Sequence, residues 1–180
     1  PLPKKAASLS NLSAALLAEQ NGNGGNGHPA AEARVELAAW GPKSSQLAES
    51  YRTVLTSLLF TARDVDRPRL LVFTSASPGE GKTAVSCNLA ISLARIGNSV
   101  LLIDADLRRP RLHSIFELEN QFGLSDLLAM TTPLDNDELS LAIQKTGVPG
   151  LFVLTSGGSR DMAATLFHSA RLKDLMNLVR

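Results

Sequence analysis

Three short apolar runs, Leu70–Thr74 (LLVFT), Ser99–Ile103 (SVLLI) and Leu151–Thr155 (LFVLT), carry almost no polar interruption. A continuous run of four or five apolar residues, rather than an alternating one, predicts a strand buried on both faces, as in a parallel sheet. Between the runs the pattern changes to steps of three and four, which predicts helices over Thr83–Ile96, roughly Leu124–Gln144, and Met162–Val179. Gly97 and Gly147 stand where helices tend to stop. Ahead of the first run, "GPKSSQLAESYRTVLTSLLF" places Leu47, Tyr51, Leu55, Leu58 and Leu59 on one face of an amphipathic helix. Strands alternating with helices imply an α/β fold, a doubly wound and mainly parallel sheet.

The beginning of the chain reads differently. Leu9, Leu12, Leu16 and Leu17 recur at helical spacing, but the segment is short, and disorder and a fraying helix stand equally open. Residues 21–29, "NGNGGNGHP", have the composition of a flexible connector. The expected division is therefore a flexible segment with a Gly/Asn-rich linker over 1–39 and one domain over 40–180, starting near Trp40. With 180 residues, 44% of them hydrophobic, the chain can bury one ordinary core. It opens on proline rather than methionine, which suggests excision from a longer polypeptide.

A net charge of +1 argues against a bulk electrostatic grip on nucleic acid or an anionic membrane. The single cysteine, Cys87, excludes an internal disulfide and any C-x-x-C metal spacing, so cytosolic chemistry is expected. No apolar run approaches the roughly 20 residues that span a bilayer, and the first 20 residues are too polar for a secretory signal. A soluble chain is expected.

Chemistry concentrates in "SASPGEGKTA", between the first apolar run and the following helix. Gly79 and Gly81 permit backbone conformations that a Cβ would forbid, so successive N–H groups can turn onto phosphate oxygens while the helix N-terminus adds its dipole. Lys82 would reach the β- and γ-phosphates, and Thr83 would offer its hydroxyl to Mg²⁺. The formula G-x-x-x-x-G-K-[ST] is met except at its first position, Ala76. Two other readings compete. One is a Gly-rich turn with a solvated lysine. The other is a dinucleotide fingerprint, since Gly79–Ala84 also fits G-x-G-x-x-A with Asp104 about 20 residues on, but that site has no work for a Lys-Thr pair.

A second cluster, "LLIDADLRRPRLH", ends the second apolar run. Alternation puts Asp104 and Asp106 on one side of the strand end, where open α/β sheets bind ligands, so metal binding or hydroxyl activation is expected. The competing reading makes Asp104 a strand-end acid that caps its own loop or pairs with Arg108, Arg109 or Arg111.

Taken in order, "ESYRTVLTSLLF", "TSASPGEGKT" as Walker A, "LLIDADLRRP" as Walker A′ and "GLSDLL" resemble the P-loop tyrosine kinases of bacterial capsule and exopolysaccharide synthesis, over about Lys43–Arg180. The resemblance implies a sheet of the P-loop NTPase type and ATP with Mg²⁺ as cofactors. It implies nucleotide binding by Ser77, Pro78, Gly79, Glu80, Gly81, Lys82, Thr83 and Ala84. Thr83 and Asp104 would serve the metal, and Lys82, Asp104 and Asp106 would be catalytic, with Asp106 activating the incoming tyrosine hydroxyl. It further implies a membrane polysaccharide co-polymerase or adaptor as partner, fused or separate, a place at the inner face of the plasma membrane, a homo-oligomer, and no nucleic acid.

Several positions depart from that family. Its first helix reads E-x-x-R-x-x-R, whereas Glu49 and Arg52 are followed here by Leu55, which weakens the expected oligomer contact. Ser77 stands where partition and division-site ATPases carry a signature lysine, which disfavours that relationship. Asp161-Met162 replaces an Asn-Pro turn, with Asp161 expected as an N-cap. The sequence shows neither a Walker B strand nor a tyrosine-rich tail, and its only tyrosine, Tyr51, reads as packing. A domain stopping at Arg180 would therefore be incomplete, with an open sheet edge and exposed helix faces. Cys87 and Trp40 read as packing residues, and His113 as part of a solvated basic cluster. Two further functions remain as alternatives, a non-phosphorylating nucleotide-dependent regulator of a polysaccharide co-polymerase and a partition-type ATPase.

Overall fold

The computed structural model describes residues 35–40, 46–61, 70–158 and 170–179. A 3-10 turn at Val35–Leu37 precedes α1 (Gln46–Thr61), α2 (Lys82–Arg95), β1 (Val100–Ile103), α3 (Leu112–Phe116), α4 (Leu124–Ala129), α5 (Asn136–Ala142), β2 (Ile143–Lys145), β3 (Leu151–Leu154) and α6 (Ala170–Leu178). The strands lie in the order β1-β3-β2. Val100 N donates to Gly150 O and Asp104 N to Leu154 O, both at 2.9 Å, so β1 and β3 advance together and are parallel. β2 pairs antiparallel with β3, Gln144 opposite Val153. The described sheet is thus mixed within an α/β fold.

The chain divides into two compact units, one holding the described residues up to Leu102 together with Val148–Leu151, the other holding Ile103–Gly147 and the described residues from Phe152 onward. In the first unit, α2 buries Cys87, Leu89, Ala90, Ile91 and Ala94. Asn88, among them, donates to Val35 O and Ala84 O and accepts from Ala39 N, so a fully buried amide has its hydrogen-bonding needs met. Glu36, Leu37 and Ala39, at the end of the segment expected to be flexible, are buried. α1 packs on α2. It buries Ala48 and Leu55, while Leu47 and Leu58 of the expected apolar face stay exposed. In the second unit, Leu107, Leu112, Ile115, Leu124, Leu127, Leu139, Phe152, Val153, Leu154 and Leu175 form the core.

Three sequence expectations change. Leu70–Thr74 is not a strand, and Leu70, Leu71 and Val72 are 56%, 44% and 80% exposed. Hydrophobicity can ask for burial, but a strand exists only where a neighbour supplies a ladder, and no described strand pairs with this run. The expected helix Leu124–Gln144 is two helices and a strand. Pro133 lacks an N–H and biases its neighbour to extended backbone. Asp135 then starts α5 as a capping box, its Oδ1 accepting from Asp137 N at 2.8 Å and Glu138 N at 3.2 Å while Glu138 Oε2 accepts from Asp135 N. Ile143–Lys145, read as the helix end, extends beside β3 instead, so Gly147 follows a strand; Gly97 does end α2, its N–H donating to Ala94 O at 2.9 Å.

Of the last expected helix, Ala170–Leu178 is described. Its earlier turns, the Asp161 cap, the leucines before residue 20 and the 21–29 linker lie outside the described residues. Cys87 is fully buried, Trp40 and Tyr51 are half-buried, and His113 sits half-buried on α3 with its Nδ1 unpartnered, in place of the expected solvated cluster. No helix among the described residues is long and apolar enough to cross a membrane.

Candidate nucleotide-binding site

The loop Ser75–Gly81 leads into α2, and its glycines take the backbone that the pattern demanded. Gly79 has φ +82° and Gly81 φ +90°, both left-handed. A Cβ built at either meets nothing within 4 Å, so the requirement is conformational rather than steric. Gly81 is the N-cap of α2, with Val85 N donating to its carbonyl at 2.9 Å. That geometry leaves the amides of the first helical turn, Lys82 to Ala84, without intrahelical acceptors and oriented for an anion.

Side chains close the loop on itself. Lys82 Nζ donates to Ser75 Oγ at 2.8 Å, and that hydroxyl donates in turn to Ser77 O at 2.9 Å. Ser77 N donates to Glu80 Oε2 at 3.1 Å, so a carboxylate holds one of the loop's amides. Ala76 through Glu80 are exposed, and Gly81 through Ser86 are half-buried. All of Ser77–Ala84 therefore sits on one accessible loop and helix start. Ser75 was not anticipated; the signal available was a hydroxyl directly after the apolar run, seven residues ahead of the lysine it holds.

Asp104 and Asp106 belong to the other unit. Asp104 follows β1, is 6% exposed, and has both oxygens engaged by backbone: Oδ2 accepts from Leu112 N at 2.9 Å and Arg111 N at 3.0 Å, Oδ1 from Asp106 N at 3.2 Å. Burial pushes its carboxyl above the ordinary carboxylate range, against the pull of those three amides. Asp106 is exposed, and its Oδ1 accepts from Arg109 N at 3.0 Å. Of the two sequence readings of Asp104, the geometry matches the loop-capping one. Its oxygens accept from three backbone N–H donors, which fix the loop around it. The described residues contain no group of three or more His, Cys, Asp or Glu placed to hold a metal ion. Thr83, in the first turn of α2 beside Lys82, does offer a hydroxyl of the kind Mg²⁺ accepts.

A phosphate-type glycine loop at the head of a helix, in an α/β fold, defines a nucleotide-binding domain. The model of the CobQ/CobB/MinD/ParA nucleotide binding domain matches residues 71–177, and the chain belongs to that family. Within it, the chain is similar to tyrosine-protein kinases. It is 40% identical over 142 residues to tyrosine-protein kinase YwqD of Bacillus subtilis (strain 168), which covers 79% of this chain and 57% of that protein. The solved kinase domain of Escherichia coli tyrosine kinase ETK superposes with a TM-score of 0.69 at 34% identity, covering 79% of this chain and 53% of that one. The chimerical protein CapA2B2 gives the same TM-score at 30% identity, covering 80% and 61%. The chain thus spans little more than half the length of YwqD and of the ETK kinase domain.

Proposed function

We propose that this chain is the nucleotide-binding part of an ATP-dependent protein-tyrosine autokinase serving capsule or exopolysaccharide synthesis. The observation that carries the reading is the Ser75–Thr83 loop, in which two left-handed glycines and Lys82 stand at the head of α2. Similarity to named tyrosine kinases over more than three quarters of the chain supports the same conclusion.

In this reading Lys82 exchanges Ser75 Oγ for phosphate oxygens, and the Lys82–Ala84 amides orient the β- and γ-phosphates by hydrogen bonding. Thr83 would hold Mg²⁺, which when bound neutralises phosphate charge. Asp106, the exposed acid of its loop, takes the proton of an incoming tyrosine hydroxyl. Tyr51, the sequence's only tyrosine, is half-buried on α1, in keeping with a packing role. The resemblance brings with it a membrane polysaccharide co-polymerase or adaptor, fused or separate, and a place at the inner face of the plasma membrane. For self-association the helix offers less, since Glu49 and Arg52 pair with each other at 2.7 Å and Leu55 is core.

The test is nucleotide binding, followed by phosphotyrosine formation on an added tyrosine-containing polypeptide. The intact protein is expected to bind ATP and to transfer phosphate, and its Lys82→Met variant to do neither. Transfer undiminished in Lys82→Met would overturn the mechanism. ATP binding with no phosphotyrosine formed by the intact protein would favour a non-phosphorylating regulator, and phosphate released to water on stimulation by DNA would favour a partition-type ATPase.

A further inference from the structure

The segment from Asp104 to Leu112 turns from the end of β1 into α3, and one side chain shapes that turn. An ionised carboxylate has two oxygens and about four acceptor positions. In Asp104, Oδ2 receives two amides, from Arg111 and Leu112, and Oδ1 receives one, from Asp106. These bonds tie together positions two, seven and eight residues along the chain, which defines the whole loop from a single point. The amides are donors whose positive ends aim at the carboxylate, so a cation approaching it meets three N–H dipoles of its own sign at a 6%-exposed position. Asp106 differs in each respect. It is exposed, and among the described residues only its Oδ1 is engaged, by Arg109 N.

We propose that Asp104 is a positioning residue that anchors the Asp106–Leu112 loop and thereby presents Asp106 to the reaction, and that it is not a metal ligand. The proposal rests on the kinase reading above only for the phrase "to the reaction"; the anchoring role stands without it. Of the two acids in D-A-D, Asp104 builds the loop and Asp106 is left for ligand or substrate.

The experiment compares wild-type protein with Asp104→Asn, which keeps the volume but turns one acceptor into a donor facing an amide. Two quantities are read: hydrogen exchange at the Arg111 and Leu112 amides, and the Mg²⁺ concentration that half-saturates binding of a fluorescent ATP analogue. The expected result is exchange accelerated by about tenfold or more at those amides. The Mg²⁺ midpoint should stay within about twofold, since loss of a true ligand or its support typically costs about 10- to 100-fold. Unchanged exchange with a Mg²⁺ midpoint raised about tenfold or more would overturn the proposal.

If Asp104→Asn does not fold, wild-type protein decides alone. With Mn²⁺ and the ATP analogue bound, a metal on Asp104 would broaden the Leu112 amide resonance beyond detection, and a sharp Leu112 resonance supports the anchor. Failure of wild-type protein to bind nucleotide would count against the kinase reading, while the exchange measurement would still decide the anchor.

Discussion

Asn88 of α2 accepts the Ala39 N–H at 2.7 Å across 49 residues of sequence, and its Nδ2 donates to Val35 O at 2.8 Å. One fully buried amide thereby ties the Val35–Trp40 turn to the helix that begins at the phosphate-type loop. Asn88→Ala would leave the N–H of buried Ala39 unpaired, at a cost of about 1–3 kcal/mol. A urea midpoint lowered by the equivalent of that cost is expected, with an unchanged m-value; an unaltered midpoint would show that the tie contributes nothing.

Ser75 holds Lys82 before any phosphate arrives. If nucleotide must displace that contact, Ser75→Ala removes a competitor worth about 0.5–1.5 kcal/mol, and affinity for ATP should rise up to about tenfold. Titration with a fluorescent ATP analogue measures this. Weakened binding would instead make Ser75 a direct phosphate contact.

Glycines of the same backbone hand should respond differently to alanine. At Gly79 and Gly81 a Cβ meets no atom within 4 Å, so each substitution costs only the left-handed backbone, about 1–2 kcal/mol. At Gly157, φ +87°, the Cβ would also overlap Asp126 Oδ2 and lie 2.6 Å from Ser125 Oγ. Gly157→Ala should therefore lower the melting temperature more than Gly79→Ala, whereas Gly79→Ala should impair nucleotide binding more. Equal melting temperatures would contradict this ordering.

Asp135 sits at the exposed start of α5, and hydrogen bonding with the Glu138 side chain, then with the Glu138 and Asp137 amides, holds its carboxyl below the ordinary range. A lowered folded-state pKa means the native protein binds fewer protons than the unfolded chain. Its contribution is fully present above the unfolded value, about 3.9, and is lost as pH falls through the folded one. The stability gap between wild type and Asp135→Ala should be constant near neutrality and close as the pH drops below about 4. A gap independent of pH down to unfolding would remove the charge from the cap.

The sequence by itself determined the parts whose physics is local. Gly79 and Gly81 next to Lys82 and Thr83 announced the loop because left-handed backbone favours glycine, and α2, β1 and β3 followed from unbroken periodicity or an unbroken apolar run. The split at Pro133 and the Asp135-x-x-Glu138 cap was also legible, although helical periodicity over Leu124–Gln144 masked it. Tertiary structure alone decided which apolar runs became strands. Leu70–Val72 stayed outside the ladder and Ile143–Lys145 entered it, because a strand's hydrogen bonds belong to its neighbour as much as to itself. It also separated the two acids of D-A-D, since only the folded turn brings the Arg111 and Leu112 amides back onto Asp104 and leaves Asp106 in solvent.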